Sequence, residues 1–409
     1  EGVLAYSSYQ MELNEEGQSP RTSSINGFNA GLNFTYFMGK DELKYGLELN
    51  GFKTDFEFFN ETGSRIEQQQ NTTEIALYGK YKLTAGKFLI EPGLRLQWYS
   101  SLSEISLEPR FAMKYNATDR TRIKLAAGLY SQNLISARSD RDVVNLFYGF
   151  LSGPENLPEE FDGEEVTSKL QKSQHLVLGV EQDITRELTV NLEGYYKYFP
   201  QLTNLNRYKI YNEEDAPAGT PDIEKKDFLI EKGKAYGLDF SMKYNYDGIY
   251  LWAAYSFAFV ERYDGEVWYY PHYDRRHNLN MLGSYTFGDL NQWEVSLRWN
   301  FGTGFPFTQT QGYYEKLYFP GGLNSDYLTE NGRVGVQYAE LNKGRLPTYH
   351  RLDFNFMRVF YLTENTTLQA DFSVTNIYDR ENVFYVNRIS GDIVRQLPIM
   401  PSVGLTLNF

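Results

Sequence analysis

The chain has 409 residues, no cysteine, and a formal net charge of −13 from 40 Lys+Arg against 53 Asp+Glu. These totals exclude disulfides and thiolate chemistry, and they argue against nucleic acid, which is bound by clustered Lys and Arg. No run of about 18 apolar residues occurs, so no transmembrane helix is expected. The mean hydropathy of −0.52 still permits a membrane β-barrel, because only alternate strand residues meet lipid there.

Glu1 opens the sequence with neither a basic segment nor an apolar one. The chain is therefore expected to be mature or to lack its natural beginning. Period-two alternation then predicts strands near 2–12, 25–38, 42–58, 67–83, 86–99, 105–116, 121–131 and 167–183. It continues at 187–199, 228–246, 249–262, 274–287, 292–304, 348–361, 365–377 and 396–409. In 86–99, Phe88, Ile90, Leu94, Leu96 and Trp98 oppose Lys87, Glu91, Arg95 and Gln97. In 187–199, Leu188, Val190, Leu192, Tyr196 and Tyr198 oppose Thr189, Asn191, Glu193 and Lys197. Trp293, Val295, Leu297, Trp299 and Phe301 likewise oppose Glu294, Ser296, Arg298 and Asn300. Such faces suit a wall with lipid outside and water inside. Aromatics at strand ends, as at Trp98-Tyr99, Tyr244 with Tyr246, and Trp299 with Phe301, match interfacial girdles.

The connections alternate in length. Short turns such as Gly39-Lys40-Asp41, Thr84-Ala85-Gly86 and Asp247-Gly248 intervene between longer links, the longest being 132–166, 200–227 and 305–347. Short on one rim and long on the other is the arrangement of outer-membrane barrels, and an even strand count puts both termini on the short-turn rim. The final strand carries Val403, Leu405, Leu407 and Phe409 on one face. An open strand edge is intolerable in lipid, so this strand is expected to pair with the first and close a cylinder. The fold class is thus all-β, a transmembrane antiparallel β-barrel of about sixteen strands, forming a single domain over 1–409.

Several stretches resemble those of TonB-dependent outer-membrane receptors of the type that carries a carboxypeptidase-regulatory-like domain. They are Leu107-Glu108-Pro109-Arg110, Lys232-Gly233-Lys234-Ala235-Tyr236-Gly237-Leu238 and Tyr273-Asp274-Arg275-Arg276-His277-Asn278-Leu279. Thr303-Gly304-Phe305-Pro306-Phe307, Arg345-Leu346-Pro347, Leu352-Asp353, Asn376-Ile377-Tyr378-Asp379-Arg380 and the terminal strand follow in the same order. The resemblance implies a barrel of twenty-two strands, a plug domain, and coupling to the TonB complex through an N-terminal plug segment absent from this sequence. The chain would then be the C-terminal portion of a longer receptor taking up an iron chelate, oligosaccharide or peptide, with no cofactor of its own.

Candidate ligand-binding residues come from aromatic and cationic clusters in the long links: Trp268, Tyr269, Tyr270 and Arg275, then Tyr313 and Tyr314, with Tyr318, Phe319 and Tyr327 nearby. Rings at a barrel mouth stack on sugars or aromatic chelates, and Arg clamps carboxylate or phosphate. An interfacial girdle beside a structural Arg–carboxylate ladder would use the same residues. Nothing resembles a G-x-S-x-G nucleophile or an H-E-x-x-H zinc pattern, so neither catalysis nor a metal is expected. Two other readings remain: a passive porin of sixteen strands, and a scaffold subunit with a surface lipoprotein as candidate partner. Outer-membrane lipid is a partner in every reading.

Overall fold

A computed structural model of the chain describes residues 1–14, 19–60, 63–140, 142–316 and 333–409. Sixteen long strands form the wall. They are β1 (Gly2–Leu13), β2 (Arg21–Met38), β3 (Asp41–Phe59), β4 (Arg65–Ala85), β5 (Phe88–Tyr99), β6 (Glu104–Asn116), β7 (Thr121–Gln132) and β8 (Gln171–Asp183). The series continues with β9 (Leu188–Leu205), β10 (Phe228–Tyr246), β11 (Ile249–Tyr263), β12 (His277–Phe287), β13 (Trp293–Gly302), β14 (Tyr349–Tyr361), β15 (Thr367–Thr375) and β16 (Met400–Asn408). Each is antiparallel to the next, and the two-residue strand Trp268–Tyr269 above β11 completes a 17-stranded sheet. The alternation in the sequence therefore marks every wall strand.

One expectation fails. β16 pairs with β15 and β1 with β2, and the two do not pair with each other. Their outward rows stand bare, with Leu4 83% and Phe409 96% exposed. Barrel diameter grows with strand number, and two unpaired edges are what sixteen strands of a wider cylinder would leave.

Register fixes which face is which. Leu47, Leu77, Leu96 and Leu107 lie opposite one another across β3 to β6, and each is more than 40% exposed. The same holds for Leu178 on β8 and Leu238 on β10, which flank Gly194 of β9. The opposite face carries ion pairs between strands: Arg95 with Glu48 at 2.7 Å, Lys80 with Glu91 at 2.9 Å, Lys82 with Glu42 at 2.8 Å, and Arg122 with Asp183 at 2.7 Å. This is the lumen. Exposed apolar rows are costly in water and favourable in hydrocarbon, which makes the wall a membrane wall.

Of the expected girdle residues, Trp98, Tyr246, Trp299 and Phe301 belong to the outward rows. Tyr99 does not: it is buried in the lumen, where its hydroxyl lies 2.9 Å from Ser131 Oγ. Adjacent strand residues point to opposite faces, so Trp98 and Tyr99 could not both join one belt.

The rims differ as expected. Between wall strands, 39–40, 86–87, 117–120, 184–187, 247–248, 288–292 and 362–366 make one rim, together with both termini. Asp247 (φ 48°) and Gly248 (φ 75°) form a two-residue turn with both residues left-handed, the geometry that joins twisted strands tightly. All the long links lie on the other rim, and three of them contain hairpins that alternation did not predict. Leu134–Ala137 pairs with Gly149–Ser152, Glu160–Phe161 with Glu164–Glu165, Thr310–Lys316 with Arg333–Tyr338, and Val383–Val386 with Ile393–Arg395.

Candidate functional site

One connection of the long-link rim turns inward. The hairpin inside 133–170 folds into the lumen. Ser152 Oγ lies 3.1 Å from Thr54 Oγ1 and 2.8 Å from Thr72 Oγ1, while Gln68 Nε2 donates to the Ser152 carbonyl. Phe150 N–H donates to Ser23 Oγ at 2.9 Å, and Arg21 pairs with Asp142 at 2.8 Å. All these partners stand on the lumenal faces of β2, β3 and β4. Behind the polar contacts lies an apolar cluster. Phe56, Phe58 and Ile66 of β3 and β4 meet Ile135, Ala137, Phe147 and Leu151 of the hairpin, then Leu205 and Phe228 at the ends of β9 and β10. The hairpin is thus a strap tied to strands on two separate parts of the wall. Burying about 100 Å² of apolar surface contributes roughly 2.5 kcal/mol, so a cluster this size holds the strap firmly.

Next to the apolar cluster is a buried ionic one. Arg207, whose side chain is 3% exposed, pairs with Asp140 at 2.8 Å, Glu231 at 3.2 Å and Asp264 at 2.6 Å. Arg262 pairs with the other oxygen of Glu231 at 3.0 Å, and Tyr269 donates its hydroxyl to Glu231 at 2.7 Å. Asn204 donates to Asp140 at 2.7 Å. Burial alone would raise the Asp140 carboxyl, but His272 and Arg207 hold it below the usual carboxylate range. Burial works the same way on Asp264, and the Val267 N–H and Arg207 lower it. For the Tyr269 phenol, burial and the neighbouring carboxylates act together and push it well up. Charges this deep persist because each has opposite charge and hydrogen bonds around it. Asp140 belongs to the strap, Arg207 to the link after β9, Glu231 to β10, and Asp264 to the link after β11. One cluster therefore ties three long links to the wall.

The candidate ligand residues divide by exposure. Trp268 is 50% exposed, stacked on Tyr263 and capped by Lys234 Nζ at 4.8 Å from its ring. Tyr269 is only 3% exposed and belongs to the ionic cluster. Tyr270 lies under the Arg276 guanidinium at 4.3 Å. Arg275 lies over the Phe305 ring at 4.0 Å and donates from Nε to the Thr303 carbonyl, where only the missing side chain of Gly302 leaves it room. Tyr313 and Tyr314 are each 54% exposed on a separate hairpin, and Tyr313 donates to the Arg388 carbonyl at 2.6 Å. Tyr318, Phe319 and Tyr327 lie outside the described residues.

The residues behind the family resemblance converge near this site. Asp274 is fully buried; it accepts from Arg345 at 2.6 Å, Arg276 at 3.0 Å and the Val260 N–H at 2.9 Å. A side chain at Gly304 would collide with the Leu346 carbonyl. Arg345 also donates to the carbonyls of Asp274 and Gly304. Sequence reasoning missed Arg207, Asp140 and Glu231. The one available signal was an apolar run (Val143, Val144, Leu146, Phe147, Phe150 and Leu151) inside a connection that would otherwise be solvated.

No protein-family model matches the sequence, and no curated protein matches it. Solved structures do match. The ferric citrate transporter FecA in its unliganded form aligns with 100% of this chain and 58% of its own, at 14% identity and a TM-score of 0.62. A mutant ferric enterobactin receptor, PfeA, from Pseudomonas aeruginosa aligns with 100% of this chain and 58% of its own, at 13% identity and a TM-score of 0.61. The copper transporter OprC aligns with 99% of this chain and 61% of its own, at 11% identity and a TM-score of 0.57. The chain has the fold of the outer-membrane barrel of TonB-dependent receptors. It spans under two thirds of the length of these structures, which are transporters and receptors rather than enzymes.

Proposed function

We propose that this chain is the wall and outer gate of a TonB-dependent outer-membrane transporter, one that takes up a ligand such as an iron chelate, an oligosaccharide or a peptide. The observation that carries this reading is the strap within 133–170, folded into the lumen and bound there by an apolar and an ionic cluster. A passive pore has little use for a lumenal strap fixed by buried charge. A passive porin of sixteen strands would also need β1 to meet β16, and they do not pair. The ligand reaches the exposed rings of Trp268, Tyr313 and Tyr314 first, while Tyr269, Tyr270 and Arg275 stand behind them and hold their links in place. Energy comes from the TonB complex acting through a plug segment. A surface lipoprotein is a further partner, seated over the long links.

The test is growth of a deletion strain, with and without the full-length protein, on ferric citrate, an oligosaccharide or a peptide as limiting nutrient. The expected result is rescue on one of these that also requires TonB and is weakened by Trp268→Ala or by the pair Tyr313→Ala and Tyr314→Ala. Growth independent of TonB, with a large ligand-independent conductance of the purified protein in a planar bilayer, would overturn the reading in favour of a porin.

A further inference from the structure

At the foot of the strap the lumenal wall holds a cavity of about 640 Å³, within the roughly 300–1,000 Å³ of small-molecule sites. Its walls are the lumenal faces of β1 to β7, and Asn133, where the strap begins, lines it too. Asn133 is 1% exposed. Its Oδ1 accepts from the Gly153 N–H at 2.8 Å, which fixes the amide, while Nδ2 is buried with no hydrogen-bond partner. The amide faces the Glu74 carboxyl of β4, which accepts from Gln97 Nε2 at 3.3 Å. A buried donor left unpaired is costly, and this one stands before an acceptor without closing a hydrogen bond to it. A hydroxyl satisfies both at once, because it accepts through its lone pairs and donates its proton. We propose that this cavity binds a neutral oligosaccharide, with a sugar hydroxyl seated between Asn133 Nδ2 and the Glu74 carboxylate and a sugar ring lying on Phe52 of β3.

The rest of the lining favours the same chemistry. Asn29 and Asn50 are hydrogen-bonded to each other, which leaves one amide donor and one amide acceptor at the cavity. Glu108 accepts from Arg110 and from the Ser131 hydroxyl, each at 2.7 Å, and Arg95 donates to Gln97 at 2.8 Å and Glu48 at 2.7 Å. Both guanidiniums are thus already engaged with a carboxylate. Among the lining side chains, Glu74 and Glu108 balance Arg95 and Arg110, so an anionic chelate finds no net field to hold it. A peptide serves the gap less well, because an amide N–H only donates and an amide carbonyl only accepts. Phe52, half-buried on the same lumenal face, supplies an apolar ring beside these polar groups, the mixture that small-molecule sites present.

The inference rests on the transport reading and selects one of its ligand classes, but its test does not need transport. The full-length protein, in a detergent without a sugar headgroup, is applied to an array of neutral glycans, and the best-bound glycan is then titrated calorimetrically. The expected result is saturable binding that is at least about tenfold weaker in Glu74→Leu and in Phe52→Ala. Glu193→Leu, on the lumenal face of β9 outside the cavity, is expected to bind as the wild type does. No binding to any neutral glycan would overturn the proposal and leave a bridging water or the plug to fill the gap. Binding that survives undiminished in either Glu74→Leu or Phe52→Ala would place the sugar elsewhere on the protein and overturn it equally. Glycan binding without TonB-dependent growth would remove the transport reading alone. TonB-dependent growth on ferric citrate or a peptide, without glycan binding, would remove this inference alone.

Discussion

Arg207 Nη1 stands 2.8 Å from Asp140 Oδ2, a contact that joins the link after β9 to the lumenal strap, with both side chains under 10% exposed. Removing the guanidinium strands Asp140 and Asp264 in a buried site, which costs roughly 3–5 kcal/mol when a buried pair loses one partner. Arg207→Ala is therefore expected to release the strap while leaving the wall intact. Limited proteolysis of folded protein should show cleavage within 133–170 that the wild type resists. A strap equally resistant in the variant would mean that the apolar cluster holds it unaided.

The same cluster predicts a transition in acid. Asp140 and Asp264 have folded-state values held below the ordinary aspartate value of 3.8. A depressed carboxylate stabilises the fold above its unfolded value and loses that contribution as pH falls through the folded one. The strap should thus remain protected from hydrogen–deuterium exchange at pH 5 and open only below about pH 4. Exchange measured at residues 134–137 and 149–152 from pH 6 to pH 2 checks this, and an opening already complete at pH 5 would contradict it.

At the short-turn rim, Gly248 has φ 75° and the Thr286 carbonyl oxygen 2.2 Å from where a Cβ would be. A side chain there meets both an unfavourable backbone region and a fixed backbone atom of β12. Gly248→Val is expected to destabilise the β10–β11 hairpin by more than about 1 kcal/mol and to lower the yield of refolding from urea into detergent. Gly39, with φ 66° and nothing within 4 Å of its would-be Cβ, makes the control; its substitution should be the milder of the two.

Leu178 is 56% exposed on the outward face of β8, and Val177 beside it faces the lumen. An arginine on the lipid face near the midplane costs about 2–4 kcal/mol, whereas a lumenal one is solvated. Leu178→Arg should therefore shift the urea midpoint for folding into vesicles far more than Val177→Arg. Equal shifts would mean that the two faces have been assigned wrongly or that the strand lies outside the bilayer.

Much of this was legible because a strand with one face in lipid and one in water must alternate. The expected and observed strands differ at most by a few residues at their ends, with one larger departure: β9 continues to Leu205 through a register shift between Phe199 and Leu202, at Pro200, where the sequence suggested a stop. The motif residues were legible as a pattern, though their work proved to be structural, with Asp274, Arg276, Gly304 and Arg345 meeting at one corner of the mouth. The strap was not legible. Its contacts join residues such as Thr54 and Ser152, or Asp140 and Arg207, far apart in the chain, and no local period encodes a loop that turns inward. The open edges were not legible in alternation, which fixes the way a side chain points but not the number of strands in the cylinder; only the resemblance to a barrel of twenty-two strands implied them.

The central claim is that one row of each strand meets hydrocarbon and the other meets water. The chain has no cysteine, so single cysteines at positions 176 to 181 can each be spin-labelled in the full-length protein in vesicles. Accessibility to oxygen, which concentrates in lipid, should peak at 176, 178 and 180, while accessibility to a water-soluble nickel reagent should peak at 177, 179 and 181. The absence of alternation, or alternation in the opposite phase, would contradict the membrane wall and every functional conclusion built on it.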